Sequence, residues 1–179
     1  VGGSDTLATG YCLAQAVRKV AELQGLDHFD MILCGKQAID GDTAQVGPQI
    51  AAELGIPQIT YAAHIEVEGE KVTVKQQNEE GYIVTEASFP VLITAVKELN
   101  EPRFPTIRGT MKAKRREIPT LSADDIKVDE SRIGLSGSPT NVRKIFTPPQ
   151  RTQGLILNNE DVAVSVATLM EKLTEQKII

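Results

Sequence analysis

The chain has 179 residues, 41% of them hydrophobic, and a net charge of −5, which is typical of a globular domain without electrostatic attraction to nucleic acid or membranes. Aromatic residues make up only 4% and Trp is absent, which argues against stacking of single-stranded nucleic acid, and no apolar run approaches the roughly 20 residues that span a bilayer. Cys12 and Cys34 are the only cysteines, too few for a disulfide framework, so we expect a cytoplasmic protein.

The first third of the chain alternates helix and strand signals. Residues 5–24 repeat apolar side chains at three- and four-residue spacing and predict a helix that Asp5 can cap. Phe29–Cys34 is a nearly unbroken apolar run, which favours a central parallel strand buried on both faces. A second helix is predicted from about Thr43 to Leu54, ending at Gly55. Together they predict an α/β fold with an open, mostly parallel, Rossmann-like sheet.

The rest of the chain is more varied. Apolar and polar residues alternate over Ile65–Val74 and predict a hairpin, followed by an extended segment at Tyr82–Thr85. Phe89–Val96 predicts another buried strand. Residues 120–158 have no core pattern of their own and are interpreted as an extended arm, after which Glu160–Gln176 predicts a final helix.

The loop after the first strand is a candidate ligand site. Gly35–Pro48 reads GKQAIDGDTAQVGP, and ligands of open α/β sheets lie beyond the carboxyl ends of strands. Glycines there permit close backbone approach, and the polar side chains suit a ribose, an adenine or a phosphate. Neither GxGxxG nor GxxxxGK[ST] is present. A polar connecting loop, capped by Asp42 or Thr43, is the alternative interpretation.

A second candidate is the start of the first helix, Asp5–Thr9 (DTLAT). Two threonine hydroxyls and free amide hydrogens at a helix N-terminus can hold a pyrophosphate, and the small Ala8 would let phosphates come close. A helix cap without a ligand is the alternative.

A third candidate is the basic segment within TIRGTMKAKRRE, from Arg108 to Arg116, which follows the stiff lead-in NEPRFP at 100–105. It could bind phosphates or an acidic protein surface, whereas most charge runs are solvated faces. His28 and His64 are isolated, and Cys34 ends an apolar strand as a small hydrophobe. Because no catalytic constellation or metal-ligand spacing is present, redox chemistry would have to come from a bound cofactor.

These segments occur together in one known family. GKQAIDGDTAQVGP, then NEPRFPTIRGTMKAK at 100–114 and PPQRT at 148–152 closely resemble the beta subunit of electron-transferring flavoproteins, in order and over essentially the whole chain. The resemblance implies that the chain corresponds to the last two thirds of such a subunit, with its N-terminal part absent.

The family has two kinds. In the common kind the beta subunit binds a structural AMP and the alpha subunit carries the FAD. In the flavin-bifurcating kind the AMP site holds a second FAD, which accepts hydride from NADH. One electron then goes to ferredoxin or flavodoxin, and the other passes through the alpha-subunit FAD to an acyl-CoA (butyryl-CoA) dehydrogenase. GSDTLAT at 3–9 resembles the bifurcating group of anaerobic bacteria, which implies FAD in this chain.

The resemblance also implies the cofactor-binding residues. FAD has a second phosphate that AMP lacks, and Thr6 and Thr9 could hold it. Where relatives carry an acid at the position of Gly41, this sequence has glycine, so only a backbone contact would be retained there. The full set is Asp5, Thr6, Leu7, Ala8, Thr9, Cys34, Gly35, Lys36, Gln37, Ala38, Gly41, Asp42, Thr43, Ala44, Gln45 and Val46.

Residues 100–116 are expected to be an exposed docking loop, with Ile107 as its apolar anchor for the dehydrogenase. The docking residues are Arg103, Ile107, Arg108, Met111 and Lys112. Accordingly, residues 1–119 are expected to form a partial nucleotide- or flavin-binding domain. Residues 120–179 would form an arm and helix that pack on the alpha subunit.

Three alternatives stay open. The chain could be a conventional beta subunit with AMP, or a stand-alone adenine-nucleotide-binding regulatory module. A nucleic-acid-binding role for residues 108–116 predicts steeply salt-dependent binding, and the acidic chain with few aromatics argues against it.

Overall fold

The computed structural model describes residues 3–150, 154–158 and 161–179. Val1 and Gly2, Arg151 and Thr152 of the PPQRT motif, and Glu160, the predicted start of the last helix, lie outside the described residues. In chain order the elements are α1 (Thr6–Leu23), β1 (Met31–Gly35), α2 (Val46–Leu54), β2 (Gln58–Glu68), β3 (Lys71–Asn78), β4 (Gly81–Ser88), β5 (Val91–Ala95), α3 (Ile107–Lys114) and α4 (Val162–Glu175), with short 3-10 turns at Lys97–Leu99 and Glu130–Arg132. No helix among the described residues is both long and apolar enough to cross a membrane.

The predicted α/β class with an open sheet is confirmed. The strand order is β1-β5-β2-β3-β4, parallel from β1 through β5 to β2 and antiparallel from β2 to β4. The prediction that the first strand is central and buried on both faces is wrong. Within the described part of the chain β1 pairs only with β5, and Leu33 is 59% exposed. The central strand is β5, where Val91, Leu92 and Ile93 are each 0% exposed.

A bend in β2 joins the two halves of the sheet. The first half of β2 pairs with β5 and the second half with β3. Tyr61, between them, has a φ of 55°, and its N–H donates to the hydroxyl of buried Thr94 over 3.0 Å. Val72 and Val74 of β3 share one core cluster with residues of β5. The antiparallel half therefore packs against the face of β5 that points away from the helices.

Helices α1 and α2 cover the other face. Leu92 of β5 packs there with Ala14 of α1 and Ile50 and Ala51 of α2. Small side chains let the helices approach closely, and at Gly10 a Cβ would lie only 2.7 Å from the Cβ of Gln49. As predicted, α2 ends at Gly55, which adopts a left-handed conformation with φ 71°.

Part of the segment after residue 120 packs on α1, and the packing of this segment on an alpha subunit stays a prediction. Ile126 and Ser138 are 6% and 5% exposed. The N–H of Asp129 donates to the Tyr11 hydroxyl over 2.9 Å, and the Arg132 guanidinium lies 3.9 Å from the Tyr11 ring centroid. Arg132 also pairs with Glu53 of α2. Because these anchors are mostly polar and irregularly spaced, they leave no apolar repeat in the sequence. The two compact units are Val1–Arg143 and Lys144–Ile179.

The second unit contains α4. Asp161 caps this helix by accepting from the N–H of Ala163 over 2.8 Å. Helix α4 contains no buried residue. The predicted apolar side is instead open, with Val162, Val166 and Met170 at 73%, 53% and 50% exposure.

Candidate functional site

The carboxyl ends of β1 and β5 lie side by side. The N–H of Lys36, just after β1, donates to the carbonyl oxygen of Ala95 at the end of β5 over 2.9 Å. The loop 36–45 and the segment 96–106 therefore leave the sheet at the same edge, where α/β proteins bind their ligands.

The loop 36–45 is held by its own polar groups. The side chains of Gln37 and Asp42 are hydrogen-bonded, and the N–H of Asp42 donates to the Ala38 carbonyl oxygen over 3.1 Å. Asp42 and Ala44 have φ values of 51° and 53°, which cost non-glycine residues energy and occur preferentially at functional sites. These left-handed residues also delay the start of α2 to Val46, three residues later than predicted.

The N-terminus of α2 carries no side-chain cap, contrary to the suggestion that Asp42 or Thr43 caps it. Its N-cap is Gln45, which makes no capping hydrogen bond. Within the described residues no protein acceptor is recorded for the amide hydrogens of Val46 and Gly47. Unpaired amides at the positive end of a helix are the groups that bind phosphate oxygens.

The N-terminus of α1 is capped by the protein itself. The Asp5 carboxylate accepts from the N–H of Ala8 over 3.0 Å and from the N–H of Thr140 over 3.1 Å, and the bond from Ala8 is the main reason that the pKa of Asp5 is lowered. Ala8 itself is 1% exposed, so its side chain is committed to packing. The hydroxyl of Thr6 lies in the first turn of α1, next to the capped amides.

The two predicted halves of the site meet in the fold. The hydroxyl of Thr6 donates to Oε1 of Gln45 over 3.0 Å, across 39 residues of sequence. It also accepts from Nε2 of Gln49 at 3.5 Å. Asp5–Thr9 and the 36–45 loop thus form one continuous polar surface at the sheet edge.

The glycines of this surface differ in what surrounds them. A Cβ on Gly35 or Gly41 would meet no protein atom within 4 Å, so the chain's own packing does not require glycine there. A Cβ on Gly47 would lie 2.5 Å from Cγ2 of Thr94, so that glycine is needed for packing of α2 on β5. Gly35 and Gly41 thus border open space, and the uncapped N-terminus of α2 follows them in the chain.

The other predicted cofactor residues lie around this surface. Leu7 is 44% exposed and lines a cleft of about 270 Å³ with Tyr11 and residues 131–139. Cys34 is partly buried, and burial raises the pKa of its thiol, which suits a packing role better than a nucleophile. Gln45, Asp42, Thr43 and Gly41 are exposed, whereas Thr9, Ala44 and Val46 are partly buried. The described residues contain no cluster of His, Cys, Asp and Glu side chains that could hold a metal ion.

Sequence reasoning missed part of this edge. An open cleft of about 700 Å³, within the range of small-molecule sites, is lined by residues 95–102 at the end of β5. The Lys36 ammonium lies 5.3 Å from the Tyr61 ring centroid nearby. Residues 95–102 have ordinary residue types, so their position directly after a buried strand was the one sequence signal that could have indicated this cleft.

The predicted docking segment lies on the surface, since every residue from 101 to 120 is exposed. Part of it is a helix instead of the expected loop: α3 begins at Ile107, after Thr106 caps it by accepting from the N–H of Gly109 over 3.1 Å. Ile107 is 83% exposed, and it is not alone, since Met111 one turn later is 53% exposed and Phe104 is 95% exposed. Arg103 lines a cleft with Phe104, and Arg108 and Lys112 lie on α3.

Comparison with known proteins gives consistent matches. The model of the electron transfer flavoprotein domain matches residues 1–126. An electron transfer flavoprotein subunit beta of Megasphaera elsdenii is 74% identical over 100% of this chain and 67% of its own length. The acryloyl-CoA reductase electron transfer subunit gamma of Anaerotignum propionicum is 44% identical over 99% of the chain and 67% of its own length. The caffeyl-CoA reductase-Etf complex subunit CarD of Acetobacterium woodii is 42% identical over 99% and 66%. The chain thus spans about two thirds of the length of these relatives.

Proposed function

The chain belongs to the electron transfer flavoprotein family, and we propose that it acts as the beta subunit of a flavin-bifurcating heterodimer in the cytoplasm. It binds FAD between α1 and the 36–45 loop, receives electrons from NADH, and works with an alpha subunit, ferredoxin or flavodoxin, and an acyl-CoA dehydrogenase. The observation that carries the proposal is the hydrogen bond from Thr6 to Gln45 beside the open N-terminus of α2. The names of two relatives, subunits of acryloyl-CoA and caffeyl-CoA reductase complexes, support an acyl-CoA partner.

When bound, FAD would supply hydride acceptance and single-electron transfer. The chain's own residues bind and orient it. The amides of Val46 and Gly47 hold one phosphate at the α2 terminus. The space beside Gly35 and Gly41 admits the adenosine against the backbone, and the N-terminus of α1, joined to Gln45 through Thr6, faces the second phosphate.

AMP is the second candidate ligand, and one observation favours it. The Asp5 carboxylate occupies the N-terminal turn of α1, where a second phosphate would meet a negative charge. AMP needs only the open end of α2, since it has a single phosphate. FAD is favoured because the hydrogen bond from Thr6 to Gln45 joins α1 to the 36–45 loop, which extends the polar surface beyond the α2 terminus that the single phosphate of AMP needs.

Replacing the threonines tests their part in FAD binding. In the purified complex, Thr6→Val with Thr9→Val is expected to weaken FAD binding about tenfold, because the change removes the hydrogen bond from Thr6 to Gln45 and the hydroxyl of Thr9. Thr73→Val on β3 is the matched control. The measurement is flavin content and dissociation constants after removal of bound nucleotide. Full FAD retention in the double variant would show that these hydroxyls do not hold the second phosphate.

A further inference from the structure

A partly buried polar side chain between α1 and α2 is not explained by packing. Gln49 lies one turn after Gln45 on α2, and its Oε1 is buried without a hydrogen-bond partner among the described residues. Gly10 of α1 makes room for it, since a Cβ there would lie 3.3 Å from that oxygen. An apolar side chain of the same length would fill this space without an unsatisfied group, so the amide is expected to act through its other end.

That other end leads to the candidate site. Nε2 of Gln49 donates to the Thr6 hydroxyl at 3.5 Å, and the hydroxyl donates its single hydrogen to Oε1 of Gln45 over 3.0 Å. Because the Gln45 carbonyl oxygen is used by Thr6, the NH2 group of Gln45 is the part left for a ligand. Gln45 is exposed, so that group is accessible.

The buried position of the Gln49 amide oxygen favours this order of donors and acceptors, from Gln49 through Thr6 to Gln45, over the reverse order. If both amides were turned around, Gln45 would donate to Thr6 and Thr6 would donate to Gln49. The NH2 of Gln49 would then be buried with two hydrogens lacking acceptors, in place of one carbonyl oxygen. Unsatisfied buried N–H groups are rarer and costlier than unsatisfied carbonyl oxygens.

We propose that Gln49 is a positioning residue that acts through Thr6 to make Gln45 present its NH2 to a nucleotide phosphate. The inference rests on the proposed nucleotide site and assigns a new residue to it. A phosphate oxygen only accepts hydrogen bonds, so the NH2 attracts it and a carbonyl oxygen in the same place would repel it. The same phosphate lies against the unpaired amides of Val46 and Gly47.

The test is a double-mutant cycle on the full subunit with any partner that copurifies, stripped of nucleotide and titrated calorimetrically with AMP and with adenosine. Gln49→Met is expected to weaken AMP binding about tenfold and leave adenosine binding unchanged. Its melting temperature should be unchanged or higher, since Met removes the unsatisfied oxygen. In a Gln45→Met background the Gln49→Met change should have no further effect on AMP.

Unchanged AMP affinity in Gln49→Met, or equal weakening in the Gln45→Met background, would overturn the proposal. Equal weakening of adenosine binding would do the same, because it indicates a general structural role. Thr6→Ser, which keeps the hydroxyl, should bind AMP like the parent, and Thr6→Val should not; identical affinities for the two would also overturn it. If the parent protein binds neither AMP nor adenosine, the proposed nucleotide site itself fails, and that result is distinct from a failed cycle.

Discussion

Gly41 and Gly47 lie six positions apart but are glycines for different reasons. A Cβ on Gly41 meets no protein atom within 4 Å, whereas a Cβ on Gly47 would lie 2.5 Å from Cγ2 of Thr94. Gly41→Ala should change the free energy of unfolding by less than about 0.5 kcal/mol and weaken nucleotide binding. Gly47→Ala should lower the free energy of unfolding by about 1–3 kcal/mol through overpacking. Chemical denaturation and nucleotide titration of both variants test this, and a strongly destabilised Gly41→Ala would contradict it.

Asp5 makes the free energy of unfolding depend on pH. Hydrogen bonds, first that from Ala8, lower its pKa from 3.8 in the folded state. A depressed pKa contributes stability that is present above the unfolded-state value and is lost as pH falls through the folded-state value. Asp5→Ala should therefore lower the free energy of unfolding by about 1 kcal/mol at neutral pH, and the difference should shrink below pH 3.8. Denaturation curves of the parent and of Asp5→Ala, recorded at neutral pH and below pH 3.8, measure this difference in the free energy of unfolding. A difference that does not change with pH would argue against the cap.

Helix α3 is the element for which we propose a protein partner. An isolated helix of eight residues is marginal in water, and its apolar residues Ile107 and Met111 share one face with nothing covering them. Ile107→Ala and Met111→Ala should each raise the KM for the proposed acyl-CoA dehydrogenase partner about tenfold. The free energy of unfolding should not change, because neither side chain is buried.

Ile118→Ala is the matched control for α3, since Ile118 is 86% exposed but lies outside the helix. Steady-state electron transfer at limiting partner concentration distinguishes the sites. An Ile118→Ala effect as large as that of Ile107→Ala would mean that exposed apolar area in general, not the α3 face, binds the partner.

The elements that the sequence predicted well carry local signals. Helix α1 has an apolar repeat and an Asp5 cap, α2 has Gly55 at its end, and β5 is an apolar run. The position of β1 was mispredicted because pairing order is set by contacts between distant segments, and an apolar run looks alike at an edge and in the centre of a sheet. The late start of α2 was missed because Asp42 and Ala44, unlike glycine, give no sequence sign of a left-handed conformation.

The candidate site shows the same division. Glycines, threonines and the acidic cap could be picked out by residue type, and the family resemblance joined them. The contact of Thr6 with Gln45 needed the fold, because 39 residues separate the pair. Gln49 and the cleft lined by residues 95–102 have ordinary residue types, and only their position in the structure marks them.

At the scale of the whole molecule, each compact unit contains a helix whose large apolar side chains are mostly exposed. In Val1–Arg143 this is α3, and in Lys144–Ile179 it is α4, where Val162 is 73% exposed and Leu169 is 47% exposed. We propose that the dehydrogenase binds α3 and the alpha subunit covers α4.

The central claim is that this chain holds FAD at the edge formed by β1, β5 and the N-termini of α1 and α2. The measurement that tests it most directly is a count of FAD and AMP released from the purified complex of the chain with its alpha subunit. The proposal predicts two FAD and no AMP per heterodimer, one FAD from each subunit. One FAD and one AMP per heterodimer would contradict it and establish the conventional, AMP-containing kind of subunit.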